Sequence, residues 1–139
     1  MRIMKMDDIT QNIKQLIKCD AFFENINIIS AFPDKMKSTR LKQPVIAIGI
    51  DNIEMASDRI DESSRRGDIC VFADIFLPTQ FDIGMMEKIF SKLCSCFDSF
   101  NIISIKTGRS RFDSYAQAYV LDTVFTFNDN IEFGSENDE

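Results

Sequence analysis

The stretch ICVFADIFLPTQFDIGMMEKIFSKLCSCF (Ile69–Phe97) carries a strand pattern into a helix pattern with only Pro78-Thr79-Gln80 between them. From Ile69 to Leu77 the side chains alternate, with Ile69, Val71, Ala73, Ile75 and Leu77 on one face and Cys70, Phe72, Asp74 and Phe76 on the other. Pro78 has no N–H for a sheet ladder and ends the strand. Asp82 then reads as a helix cap, with Phe81 placed to staple onto Met86. Met86, Ile89, Phe90, Leu93 and Phe97 recur at helical spacing, so the helix runs to Cys96 or Phe97. The all-aliphatic row of the strand is expected to meet this helix, and Asp74 to face away from it.

Working outward, Asp7 or Asp8 can cap a first helix whose stripe is Ile9, Ile13, Leu16 and Ile17, ending near Cys19. NINIIS (Asn25–Ser30) reads as a strand that ends before Pro33, and PVIAIGI (Pro44–Ile50) as a central strand covered on both faces. The next apolar run begins only at Ile69, so residues 51–68 are expected to form a long charged loop, a length that compact domains reserve for functional or disordered segments. NIISIKT (Asn101–Thr107) is a further strand and GRSRFDS (Gly108–Ser114) a hairpin loop. The last strand, Tyr115 to Phe127, places Tyr115, Tyr119 and Phe125 on one face and Ala118, Val120, Asp122 and Val124 on the other.

The predicted fold is a single α+β domain over residues 1–128, in the order α-β-β-β-α-β-β, with a largely antiparallel sheet and two helices packed on one face. Residues 129–139 are expected to be an acidic, disordered C-terminal tail. Two helices cover one face only, so part of the Tyr115, Tyr119 and Phe125 series or its neighbours should be exposed, as on a partner surface.

The 139 residues suit one domain, and thirteen Phe against no Trp indicate a core of Phe and aliphatic side chains. No apolar run is long enough to span a bilayer, and MRIMKMDDITQ lacks the apolar centre of a signal peptide, so a cytoplasmic location and no membrane partner are expected. Cys19, Cys70, Cys94 and Cys96 are scattered and expected to stay reduced. The Cys94/Cys96 pair lacks zinc-ligand spacing, and no metal or cofactor is expected.

Residues 128–139 hold five acidic side chains and no basic one, nearly the whole of the net charge of −6. Basic residues gather instead in two segments, Lys35, Lys37, Arg40 and Lys42, and Lys106, Arg109 and Arg111. Such runs are solvated loops or contact surfaces. An acidic chain with no basic helix face is not expected to bind nucleic acid sequence-specifically.

The chain contains no histidine, which removes the common general base and the usual partner of Ser and Cys nucleophiles. Its glycines form neither a P-loop nor a dinucleotide fingerprint. Asp51, Asp68, Asp74 and Asp122 lie on or beside strands, where acidic residues are common for structural reasons. No enzymatic activity is expected.

QPVIAIGIDN (Gln43–Asn52) with the charged segment after it, GDICVFADIFLP (Gly67–Pro78) leading into FDIGMMEKIFSKL (Phe81–Leu93), and the closing YAQAYVLDTVFTFN (Tyr115–Asn128) together resemble the tail terminator and tail-completion proteins of long-tailed phages and phage-tail-like contractile bacteriocins. The resemblance covers roughly residues 8–128 and is one of element order, with no residue signature. It implies a structural protein, a hexameric ring that caps the tail tube and terminates its polymerisation, with the tube and the sheath protein as partners. It also implies assembly in the cytoplasm, then a place in the tail of a virion or phage-tail-like particle. Contact candidates come from local charge and exposure: Asp58, Arg59, Arg65 and Arg66 in the long loop, and Arg109, Arg111 and Phe112 in the hairpin. The alternative is a small acidic secretion chaperone, which shares the element order and binds an effector segment as a dimer. Such chaperones usually close with another helix, where this chain closes with a strand.

Overall fold

The computed structural model describes residues 3–5, 9–30, 41–59 and 64–132, with side chains over 9–30, 41–55 and 65–131. The elements are β1 (Ile3–Lys5), α1 (Ile9–Lys18), a short 3-10 turn (Ala21–Phe23), β2 (Asn27–Ser30), β3 (Val45–Arg59), β4 (Ser64–Pro78), α2 (Gly84–Cys96), β5 (Ile102–Thr107), β6 (Arg111–Asp113) and β7 (Ala118–Glu132). The α+β class and the order of the main elements are those expected, with the short strands β1 and β6 added.

Three strands of fifteen residues, β3, β4 and β7, make the centre of the sheet. β4 pairs antiparallel with β3 on one side and with β7 on the other, while β2 adds a parallel edge to β3. The far side of β7 is taken up by three short strands laid end to end: β6 against Ala118–Val120, β5 against Thr123–Phe127, and β1, in parallel, against Asn130–Glu132.

Residues 51–68 do not form the long loop expected. Most of them extend β3 and β4 into a hairpin. Ile50 pairs with Val71 and Asn52 with Cys70, leaving Asp51 as an extra residue in β3. This bulge changes the alternation by one position. Ile53 and Met55 therefore return to the face already occupied by Ile46, Ile48 and Ile50, and all five join the main core. Near the hairpin's end, space explains Gly67: a Cβ there would lie 2.7 Å from Ile131 Cδ1 and 3.1 Å from the Glu54 carbonyl oxygen.

Both helices lie on this face, α1 over β2 and β3, and α2 over β4. Ile9, Ile13 and Ile17 of α1 and Met86, Ile89 and Leu93 of α2 are buried against Ile69, Val71, Ala73, Ile75 and Leu77, as the alternation predicts. Asp7 and Asp8 lie outside the described residues. α2 starts at Gly84 with Ile83 in the capping position and no side-chain cap, so Asp82 contributes a backbone carbonyl to Met85 N–H (2.9 Å) rather than the cap expected of its carboxylate.

Phe125 corrects another expectation. It is fully buried beneath α2, its ring centroid 4.6 Å from that of Phe97, while Phe127 stacks on Phe100 at 4.8 Å. Thr123, buried in the same row, donates from Oγ1 to the Ala73 carbonyl at 2.6 Å, so no polar atom of that side chain is stranded. β7 also continues past Asn128 to Glu132, with Asp129, Asn130 and Ile131 buried. The acidic tail proposed from Asp129 onward is therefore sheet as far as Glu132, and residues 133–139 lie outside the described residues. Among the described residues no helix is long and apolar enough to cross a membrane.

Candidate functional site

The face of the sheet away from the helices carries a ladder of cross-strand pairs between β4 and β7: Asp68 with Asn128, Cys70 with Thr126, Phe72 with Val124, Asp74 with Asp122, and Phe76 with Val120. Its chemistry changes along its length. At the hairpin end it is polar, with Asn128 Nδ2 donating to Asp68 Oδ1 at 2.7 Å and Cys70 Sγ lying 3.2 Å from Thr126 Oγ1. At the other end Val45, Ala47, Phe76, Ala118 and Val120 form a small apolar cluster, with Ile29, Leu41 and Ala116 packed against it. Leu41 N–H donates to the Ala116 carbonyl at 3.0 Å and so pins the chain leading into β3 beside this cluster.

Between the two ends sit the paired carboxylates. Side chains directly opposite on antiparallel strands have Cβ atoms about 4.5–5.5 Å apart, and like charges there repel. Burial, the Asp122 charge and a hydrogen bond between the two carboxyls push Asp74 up to about 7, while the Arg111 guanidinium opposes that rise. Arg111 reaches from β6 to Asp122, with Nη2 3.3 Å from Oδ1. Asp74 thus favours its protonated form over part of the pH range in which isolated carboxyls are ionised. Asp74 does face away from the helices, half-buried among Ala47, Phe72 and Phe76.

The seven contact candidates separate into two groups. Arg59 pairs with Arg65 at the end of the β3–β4 hairpin; the side chains of Asp58 and Arg59 lie outside the described residues. Arg65 is half-buried, in register with Ile131. Arg66 is exposed and donates from Nη1 to Oδ1 of buried Asn130 at 3.3 Å, so it serves the chain's own interior. Arg109, Arg111 and Phe112 belong to the β5–β6 side of β7. Arg66 pairs with Asn130 and Arg111 with Val120, ten residues apart along β7, which corresponds to about 33 Å. The groups mark opposite ends of the sheet and do not form one site.

Among the described residues, most of the exposed large apolar side chains lie on the β5–β6 side. Phe112 is 49% exposed and packs edge-on to Tyr119 at 5.7 Å, and Tyr115 in the following turn is 73% exposed. Ile103, the bulge residue of β5, and Ile105 are exposed along the same border. The turn itself is well built: Asp113 Oδ1 accepts from the N–H groups of Tyr115 (2.9 Å) and Ala116 (3.2 Å), and Gln117 takes the left-handed conformation with φ 53°.

On the helix side, a shallow, open depression of about 450 Å³ lies beside α2, lined by Phe22, Glu87, Lys88, Ser91, Lys92 and Ser95, with no paired acid and base. Among the described residues no group of three or more Cys, Asp or Glu side chains converges in a way that could hold a metal ion. Sequence reasoning placed Asp74 and Asp122 on strands without pairing them. The antiparallel register that joins them depends on β7 running beside β4, which neither segment reveals alone. No family model matches the chain, and no curated protein matches it.

Proposed function

We propose that this chain is a structural subunit of a phage tail or phage-tail-like particle, assembling head to tail into a ring that caps the tail tube and ends its growth. The observation that carries this reading is the exposed apolar border at β5 and β6, bearing Ile103, Ile105, Phe112, Tyr115 and Tyr119, set apart from a sheet face over which neither described helix lies and which carries the Asp74–Asp122 pair. A ring made by one rotation uses two different surfaces on every subunit, unlike a two-fold dimer, which brings the same surface to itself. Arg109 and Lys106, exposed on the border, give it a basic edge that suits such a contact. The tube and the sheath protein are the partners in this reading, the assembling cytoplasm is its location, and the protein acts by contact rather than by catalysis.

The test is native mass spectrometry with electron microscopy of the purified chain, alone and with tail tubes. A hexameric ring, or a monomer that rings only on tube ends, is the expected result. Arg109→Glu is the cleaner interface variant, because Arg111 already neutralises Asp122 within the chain. It should weaken ringing or capping while leaving the monomer folded. A stable dimer that captures an effector segment and ignores tubes would replace this reading with that of a secretion chaperone.

A further inference from the structure

We propose that Asp74, Asp122 and Arg111 form a one-proton switch that sets the charge at the middle of the sheet face opposite the helices: neutral while the two carboxyls share a proton, singly negative once it leaves. The three groups come from three neighbouring strands. Asp74 on β4 and Asp122 on β7 are register partners, and Arg111 on β6 closes on Asp122 at 3.3 Å. With one proton the charges of the trio cancel. When the proton passes to solvent, two carboxylates remain against one guanidinium.

The surroundings make that single charge count. From β3 the residue opposite Asp74 is Ala47, flanked by Val45 and Gly49, none of them titratable. From β4 and β7 the adjoining rungs are Phe72 with Val124 and Phe76 with Val120. From β6 the other charged side chain is Asp113, opposite Ala118 and occupied in capping its own turn. From β5 the charged residue is Lys106, opposite Val124, and the turn after it contributes Gly108, whose N–H donates to the Asp122 carbonyl at 2.8 Å. Arg109 is exposed in that turn. Apolar rungs thus flank the pair on β4 and β7, with Lys106 the further cation on the β5 side, and a net charge beside buried Ala47, Phe76 and Val120 costs more than a neutral hydrogen-bonded set. The rise of Asp74 toward neutrality, already ascribed to burial and Asp122, puts the transition within reach of ordinary changes in pH.

The test is a carboxyl carbon NMR titration of the full chain labelled at aspartate, assigned with Asp74→Asn and Asp122→Asn. One aspartate carboxyl should titrate near neutrality rather than in the ordinary range. Arg111→Gln should move that step to higher pH by removing the cation, and Asp122→Asn should move it down by removing the facing charge. If both carboxyls titrate in the ordinary range, or the high step survives in Asp74→Asn, the switch is overturned. Arg111→Gln alone decides the matter if Asp122→Asn does not fold, since an unmoved step would remove the guanidinium from the trio. The readout is a side chain's own resonance, so it stands or falls separately from ring formation.

Discussion

Asp74 and Asp122 face each other across one rung of β4 and β7, and burial together with the facing Asp122 charge favours a proton on Asp74. Folding therefore takes up a proton at pH values where the unfolded chain has none to spare. Asp74 is raised to about 7 in the fold, against about 4 for an ordinary carboxyl. Its stabilising contribution is complete below about pH 4, is lost as pH rises toward about 7, and stays lost above that. Thermal melts should thus show a fall in Tm between mild acid and pH 8 that Asp74→Asn flattens. At pH 8 the Asn variant should melt above the parent, by about 3–5 °C if solvent screening leaves roughly 1 kcal/mol of the effect. An unchanged pH slope in the variant would count against the pairing.

Phe125 is a core residue even though it lies on the same strand as exposed Tyr119. Its contacts with Phe97 and Phe90 tie β7 to α2. Phe125→Ala should cost about 3–5 kcal/mol, read as a drop in the urea midpoint at constant m. Tyr115→Ala, in the exposed turn, should change stability by less than about 0.5 kcal/mol. Equal losses at the two positions would mean that the facing of β7 is wrong.

Gly67 is held by space rather than by an unusual dihedral angle. Gly67→Val should destabilise the chain by about 1–3 kcal/mol, because the new side chain meets both Ile131 and the Glu54 carbonyl. Hydrogen exchange should locate the loosening at the end of the β3–β4 hairpin and leave the α1 amides protected.

The four cysteines are free, and they differ in accessibility. Cys19 is exposed, whereas burial pushes the thiols of Cys94 and Cys96 up, helped by Asp98 beside the first and Asp20 beside the second. Fewer thiolates at those two sites mean slower alkylation. A brief maleimide pulse at neutral pH, read by peptide mass spectrometry, should label Cys19 well before either. Cys94 and Cys96 should also stay unbridged under mild oxidation, since positions two apart on a helix point to different faces.

The facing of residues 69–77 was legible because a fully aliphatic row alternated with a mixed one, and the α1 stripe because Ile9, Ile13 and Ile17 recur at helical spacing. The hairpin at 51–68 was hidden by its bulge. Ile46, Ile48 and Ile50 keep a period of two, Asp51 breaks it, and Ile53 and Met55 resume it one position out of step. A reading confined to local alternation meets that break as the end of the strand. Asp74 was correctly faced but lacked its partner, since a carboxylate pair made by two distant strands exists only in the register between them. The β5–β6 border was legible as basic, while its aromatic exposure depended on which strand lay outermost.

The three short strands along the outer side of β7 also determine when the sheet can form. β1, β5 and β6 have no other strand partner among the described residues, and β4 has its second neighbour only in β7. On a ribosome, β1 would emerge first and wait for Asn130 to Glu132 before it could pair. Until then β4 presents a bare, apolar border to anything nearby. Contacts of such long sequence separation make for slow folding, and the nascent chain carries an adhesive strand until β7 is released.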